Sequence, residues 1–317
     1  MLSTYVEPFI EKALSSDDGR LRSSFLQLNT VTGRLASKNP NLQNLPRDSY
    51  SDSSGIDGGF DINIRRSLVA APGCVFVASD FCQLEVRILA HFSEDPTLRR
   101  FLSAGGDPFI SLASDWLSIP PESVTDTERA KAKQCVYGIV YGMGIGLLAQ
   151  KLDLHMHEAS SLMRSFNSKY PLIQKWRFGT LSNARASLSS HTLFRRRRHL
   201  PDLHSNNGGK KAAAERQAIN SVIQGTASDV MKQAMMRAEE RLDHELANAV
   251  AVSDAAGRSR PVCRCVLQVH DELVYEVSAD WARTAGAVVT AAMEGCVELS
   301  VPLRVSTKIG PTLGDLK

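Results

Sequence analysis

Two patterns of apolar residues alternate along this chain. Val75, Phe76 and Val77 form a short apolar run after the Pro72-Gly73 turn, which predicts a buried strand. Leu84, Ile88 and Leu89 then repeat at helical spacing, so the strand passes into a helix with Asp80 at the junction. The plain reading of that junction is a helix cap, with Asp80 as N-cap and Gln83 completing a capping box. A second strand pattern, Val266 to Val269 and Leu273 to Val277, brackets His270-Asp271-Glu272 and predicts a β-hairpin with carboxylates at its apex. Between these two patterns the period is helical. Asp95-Pro96 and Asp107-Pro108 each open a helix, Pro120-Pro121 interrupts, and Thr125-Asp126-Thr127-Glu128 supplies cap chemistry for a helix from Arg129 to Tyr141.

Residues 147–190 also read as helix, as does a long segment from Ala214; a helix over 280–298 and a strand over 303–309 close the chain. Residues 1–14 read as helix, and the chain up to Leu28 as loop. The stretch from Thr32 to Pro46 is dense in Asn, Gln, Pro and Gly, which predicts irregular backbone with Asx-turns. Residues 48–61 form an acidic, low-complexity insertion expected to be a mobile loop, and residues 248–262 look like a hairpin tip.

Composition narrows the field. A chain of 317 residues holds one large or two smaller domains, and 43% apolar residues are enough for a core. The formal charge of +3 is too small to imply a polyanionic partner, so that case rests on local clusters. The six cysteines include no CxxC pair, which predicts a reducing compartment and no structural zinc. No apolar run approaches the roughly 18 residues of a membrane span, and the acidic first turns do not read as a signal peptide. A soluble intracellular protein with no membrane partner is expected.

The candidate chemistry lies in four places. Arg129, Lys133, Tyr137 and Tyr141 stand four apart, so two cations and two rings share one helix face. That stripe reads either as a solvated face running into core tyrosines, or as cations for a polyphosphate beside a ring for a base. Gly142, Gly144 and Gly146 follow a helix instead of opening one after a strand, so they read as a helix stop and not as a dinucleotide fingerprint. Arg195 to Arg198 form a basic run that reads as a solvated face or a phosphate contact. Arg216, Asn220 and Gln224 make a polar row on a helix, suited to hydrogen bonding along a nucleic-acid groove. Asp80 and Asp271, each held by flanking strand, would repel one another side by side unless cations neutralised them. Magnesium ions shared with phosphates answer that need.

These stretches resemble a known family. Asp80-Phe-Cys-Gln-Leu-Glu-Val-Arg87, Arg129-xxx-Lys133-xxx-Tyr137-Gly-xx-Tyr141-Gly and Gln268-Val-His-Asp-Glu272 are similar to motifs A, B and C of family A DNA polymerases. Thr32-Gly-Arg-Leu with Asn39-Pro-Asn-Leu-Gln-Asn44, and Glu215-Arg-xx-Ile-Asn-xxx-Gln-Gly-Thr-Ala227, match two further family signatures in order. Within the family the chain is most similar to the theta branch, through Asp107-Pro-Phe-xx-Leu-Ala-Ser-Asp-Trp116, Pro121-Glu-Ser-Val124, Tyr137 and the ending Leu299 to Gly310.

The resemblance implies an α+β fold: a right-hand polymerase palm of antiparallel sheet with helices, and mainly helical fingers. It places palm at 1–95, fingers at 96–190 with the nucleotide helix over 129–142, and the return to palm at 191–317 with the hairpin over 266–277. The thumb would be largely absent, since Met1 falls at the family's thumb-palm junction, and a thumb or helicase region could precede it on a longer product. The implied activity is template-directed addition of deoxynucleoside triphosphates to a primer 3′-OH on primer-template DNA by two-metal catalysis with two Mg²⁺ ions, in a repair setting of end joining or lesion bypass. A nuclear location follows, with mitochondrion or plastid as alternatives.

The implied roles fall residue by residue. Asp80 and Asp271 would ligate metal with the Phe81 carbonyl, assisted by Glu272. Glu85 would exclude a 2′-OH, with Gln83 nearby at the nucleotide. Arg129 and Lys133 would hold the triphosphate, Lys133 also protonating pyrophosphate, while Tyr137 stacks on the nucleotide and Tyr141 lies by the templating base. Arg34, Asn41, Gln43, Arg216, Asn220, Gln224 and His270 would contact DNA. Three residues depart from the family: Tyr137 stands where many relatives have Phe, Cys82 where Ser is usual, and Arg195 where Gly precedes the arginine run. Two other readings remain. A single-subunit RNA polymerase is disfavoured by Glu85 and the Arg34 and Asn41 signatures, and a non-catalytic nucleic-acid-binding remnant is disfavoured by intact Asp80, Asp271, Arg129 and Lys133.

Overall fold

The computed structural model describes residues 5–46, 50–51, 61–255 and 261–316. Most of the acidic insertion at 48–61 lies outside them. The chain divides into two compact units: Met1–Cys82 with Met231–Cys296 and Arg304–Lys317, and Gln83–Val230 with Val297–Leu303.

The first unit is built on a four-stranded antiparallel sheet in the order β10-β5-β9-β8, comprising β5 (Cys74–Phe81), β8 (Cys263–Val269), β9 (Glu272–Ser278) and β10 (Val305–Gly310). Alternation along β5 sets its two faces. Phe76 and Ala78 join a buried cluster with Leu42, Leu45, Ile64, Leu267 and Val274, to which α1 (Glu7–Leu14) adds Phe9. Ser79 points the other way and hydrogen-bonds Thr307 at 2.8 Å, and Thr307 also meets Thr290 of α10 (Ala282–Glu294) at 2.6 Å. Helix α10 lies close on the sheet because residue 286 is glycine: a Cβ there would stand 3.3 Å from the Thr307 methyl and 3.5 Å from Val77. Among the described residues this unit also pairs β1 (Ser24–Leu26) with β2 (Ala36–Lys38) and β3 (Tyr50–Ser51) with β4 (Asp61–Ile62), both antiparallel.

The second unit is mainly helical: α2 (Leu84–Ser93), α3 (Pro96–Ala104), α4 (Pro108–Leu117), α5 (Asp126–Val140), α6 (Ile145–Leu152), α7 (Met156–Lys169) and α8 (Pro171–Ser187). The two Asp-Pro signals work as expected. Asp95 accepts from the amides of Thr97 and Leu98, and Asp107 from those of Phe109 and Ile110. At the head of α5, Glu128 accepts from the Thr125 amide at 2.8 Å while Thr125 Oγ1 accepts from the Glu128 amide, a capping box. The return segment Val297–Leu303 belongs here because Arg87, 5% exposed, donates to the Pro302 carbonyl at 2.6 Å and to that of Leu102 at 3.0 Å. His91 Nδ1 accepts from the Ser300 amide at 3.1 Å.

Four sequence expectations are corrected. Asp80 does not cap a helix: it is the seventh residue of strand β5, and α2 begins only after Gln83, whose φ of 50° places it in the left-handed region. Ladder pairing on both sides of β5 outweighs the local capping option. Gly142 does end α5 with φ +60°, but Gly144 caps α6 and Gly146 lies inside it, so the glycines link two helices. The long helix α9 starts at Gly208, six residues before Ala214, because Asn207 caps it by accepting from the Lys210 amide at 3.0 Å. It also runs on to Ala255 through the start of the stretch expected to be a hairpin tip, where alanines favour helix; residues 256–260 lie outside the described residues. No helix among the described residues is long and apolar enough to cross a membrane.

Candidate active site

In the first unit the carboxylates meet by strand register. Asp80 pairs with Glu272 of β9 on one side and Ser306 of β10 on the other. The Phe81 amide donates to the Asp271 carbonyl at 3.1 Å, which ties the end of β5 to the β8–β9 turn. His270 turns the chain at φ 52°, so Asp271 stands at the apex. Burial raises the Asp271 carboxyl above the usual range, and the Arg34 guanidinium, with Nη2 3.6 Å from Oδ1, opposes that rise. An ionised carboxylate in this position calls for cationic company.

The turn is braced from beneath. Gln268, 6% exposed, donates through Nε2 to the His270 carbonyl at 2.5 Å, and Gln43 Nε2 donates to the Gln268 carbonyl at 3.0 Å. Asn41 Oδ1 accepts from Ser37 Oγ at 2.9 Å and the Gln43 amide at 3.0 Å, an Asx-turn that shapes the irregular segment. Of the three residues expected at DNA from sequence, Arg34 meets Asp271 and Gln43 meets Gln268, while Asn41 shapes the turn that carries Gln43.

The second unit carries the expected stripe. Lys133 is exposed and Arg129 and Tyr137 half-buried, with the Tyr137 and Tyr141 rings stacked at 5.8 Å and 14°. The Tyr141 hydroxyl donates to Glu85 Oε2 at 2.5 Å, and Glu85 is 5% exposed. Arg129 is fixed by Asp107, with Nε 2.8 Å and Nη2 2.7 Å from the same Oδ2. Phe109 lies behind the stripe, its centroid 6.0 Å from the Tyr137 ring, from Arg129 Cζ and from Lys133 Nζ. On α9, Arg216 is exposed while Asn220 and Gln224 are half-buried. A Cβ at residue 142 would meet Arg216 at 3.1 to 3.4 Å, so close packing adds to the positive φ in favouring glycine there.

The basic run divides by role. Arg196 pairs with Asp229 at 2.9 Å and donates to the Gly225 carbonyl, and Arg198 donates to Ser221 at 2.8 Å, whereas Arg195 and Arg197 are exposed on the hairpin of β6 (Ser189–His191) and β7 (Arg197–His199).

The family model for DNA polymerase family A matches residues 1–315. The chain belongs to DNA polymerase family A. It is 37% identical to the thermostable DNA polymerase I of Thermus thermophilus over 308 residues, 97% of this chain and 34% of that protein. It is 33% identical to mouse DNA polymerase theta and 36% identical to that of Drosophila melanogaster, covering 92% and 91% of this chain and 14% of each relative. The polymerase domain of Pol1 from M. smegmatis, solved with DNA primer-template and dNTP, superposes with a TM-score of 0.83 at 32% identity over 99% of this chain and 51% of that one. The chain thus spans about a third of the length of the polymerase I relatives it matches. The α+β fold with an antiparallel sheet and mainly helical second unit is that of a polymerase domain.

Sequence reasoning missed one supporting contact in each unit. Asp107 reads as opening a helix and as part of a branch signature, and Gln268 as part of the hairpin motif, but neither reading assigns its supporting contact. The cap's second carboxylate oxygen was the available signal, since an N-cap needs one oxygen and leaves the other for a cation.

Among the described residues no three His, Cys, Asp or Glu side chains converge as a ready-made metal cage. The oxygen donors Asp80, Asp271 and the Phe81 carbonyl still suit magnesium, which binds through one or two carboxylates plus substrate oxygens and retains water.

Proposed function

We propose that this chain is a template-directed DNA polymerase that extends a primer 3′-OH with deoxynucleoside triphosphates and releases pyrophosphate. The observation that carries this reading is the β5–β9 register, which sets Asp80 opposite Glu272 with Asp271 at the adjoining turn. Asp80, Asp271 and the Phe81 carbonyl would hold two magnesium ions. Bound there, magnesium would lower the pKa of the attacking hydroxyl and stabilise the departing oxygen. Arg129 and Lys133 bind the triphosphate, and Lys133 delivers a proton to pyrophosphate. Tyr137 stacks on the incoming nucleotide and Tyr141 lies beside the templating base. Glu85 closes the space a 2′-OH would need, which selects deoxynucleotides. Arg34, Asn41, Gln43, Arg216, Asn220, Gln224 and His270 contact primer and template, and exposed Arg195 and Arg197 add backbone phosphate contacts. Similarity to the theta branch supports a role in end joining or lesion bypass.

Primer extension with the purified chain, primed template, four deoxynucleotides and Mg²⁺ tests the reading, with Asp80→Ala and Asp271→Ala as controls. Extension lost in both variants is expected. DNA binding without extension by the native chain would favour the non-catalytic remnant.

A further inference from the structure

Arg129 carries five N–H donors: one on Nε and two on each terminal nitrogen. The Asp107 contact takes Nε and one proton of Nη2. What remains is the Nη1–Nη2 end of the guanidinium, a pair of nitrogens that can meet a phosphate with two parallel bonds. The carboxylate that holds the other edge cannot turn, because its Oδ1 accepts from the amides of Phe109 at 2.8 Å and Ile110 at 3.4 Å. Pro108, in the first turn of α4, stiffens the same corner. Phe109, 3% exposed, is the next residue, and its ring stands behind Arg129, Lys133 and Tyr137. The segment Asp107-Pro108-Phe109 therefore touches three of the four members of the stripe.

We propose that Asp107 is a positioning residue for triphosphate binding, which orients the free end of Arg129, with Phe109 as the floor on which Arg129 and Lys133 are set. This rests on the function proposed above. Two simpler accounts make different predictions for Asp107→Asn. If Asp107 only caps α4, Asn caps equally well and nothing changes. If its charge acts only through the local field, removing a negative group beside a polyanion site strengthens triphosphate binding. Positioning alone predicts weaker binding at unchanged stability, since Asn keeps the cap but loses the charge-assisted grip on Arg129.

The test is equilibrium binding of a fluorescent deoxynucleoside triphosphate with Mg²⁺ to the full chain, alongside KM and kcat in primer extension and thermal unfolding. Asp107→Asn is expected to weaken binding and raise KM about tenfold, with kcat within about threefold and Tm unchanged. Arg129→Ala is expected to lose at least as much, and Asp107→Asn combined with Arg129→Ala to be no weaker than Arg129→Ala alone. Phe109→Leu keeps an apolar side chain behind the stripe and is expected to weaken binding, and unchanged binding would remove Phe109 from the proposal. Binding by Asp107→Asn equal to or tighter than the native chain overturns the proposal, as do losses that multiply in the double variant. A native chain that binds triphosphate in this way but never extends a primer overturns the polymerase reading and leaves the positioning role standing. A native chain that binds no triphosphate overturns both.

Discussion

The Tyr141 hydroxyl donates a 2.5 Å hydrogen bond to Glu85, a carboxylate only 5% exposed. A buried carboxylate held by a phenol whose ring is itself stacked on Tyr137 has little room to turn. Rigidity is what a steric filter needs, because a side chain that can swing aside excludes nothing. Tyr141→Phe keeps the stack and removes the donor. It is expected to lower stability by about 1–3 kcal/mol, read as a fall of a few degrees in Tm. The ratio of deoxynucleotide to ribonucleotide extension is expected to fall with it. An unchanged ratio in the destabilised variant would confine Tyr141 to stability.

Tyr137 carries a ring hydroxyl on the helix face that includes Arg129 and Lys133. On a nucleotide stacked over that ring, the hydroxyl stands in for a missing 3′-OH, so dideoxynucleotides are expected to be used well. Tyr137→Phe retains the stacking surface and is expected to cut dideoxynucleotide incorporation while leaving deoxynucleotide kcat near its native value. Single-nucleotide incorporation assays read both. Strong discrimination against dideoxynucleotides by the native chain would sink the idea.

The elements were legible in sequence wherever a residue's neighbours in the chain decide its structure. Asp95 and Asp107 before proline, the Thr125 to Glu128 box and the apolar flanks of His270-Asp271 all fell where their local chemistry put them. The stripe from Arg129 to Tyr141 needed only the helical period. Pairings between distant segments left no such trace. Arg34 with Asp271, Gln43 with Gln268 and Arg129 with Asp107 join residues from 22 to 237 positions apart, and no periodicity couples them. The local cap reading of Asp80 fails for the same reason, since its strand partners Glu272 and Ser306 are remote in sequence.

His91 gives the helical unit a dependence on pH. Partial burial, reinforced by the Arg99 charge and opposed by Glu94, pushes its imidazole below the ordinary value of 6.5. Its Nδ1 accepts from the Ser300 amide, so the bonded form is neutral. The native state therefore takes up its proton at lower pH than the unfolded chain does. Above 6.5 neither state is protonated and His91 has no effect. As pH falls through 6.5 toward the native value, only the unfolded chain binds the proton, and stability declines. His91→Asn keeps an acceptor near the Nδ1 position and removes the titration. Tm measured from pH 7.5 to 5.5 is expected to fall less in that variant, and parallel curves would refute the assignment.

Arg87 is the other anchor of the return segment. It serves two carbonyls from a nearly sealed site, so Arg87→Met leaves both without their donor inside the unit. A loss of about 2–4 kcal/mol is expected in denaturant unfolding. A cost under half a kilocalorie would mean that water replaces the guanidinium.

Arg195 holds φ at 62° in the turn between β6 and β7, where its amide donates to the Thr192 carbonyl at 3.0 Å. A side chain in the left-handed region costs about 1–2 kcal/mol, and glycine is free of that cost but gives up about 0.4–1 kcal/mol to the greater freedom of the unfolded chain. Arg195→Gly is therefore expected to stabilise by about 0.5 kcal/mol, whereas Arg195→Ala keeps the strain and gains nothing. Thermal unfolding of the pair isolates the backbone term, since both lose the same charge. An alanine variant as stable as the glycine one would show that the turn is not strained. Arg195 is also an exposed cation two residues from Arg197 on the hairpin. Both variants are accordingly expected to bind primer-template DNA more weakly, with the slope of log affinity against log salt reduced by about 0.9 for one lost phosphate contact.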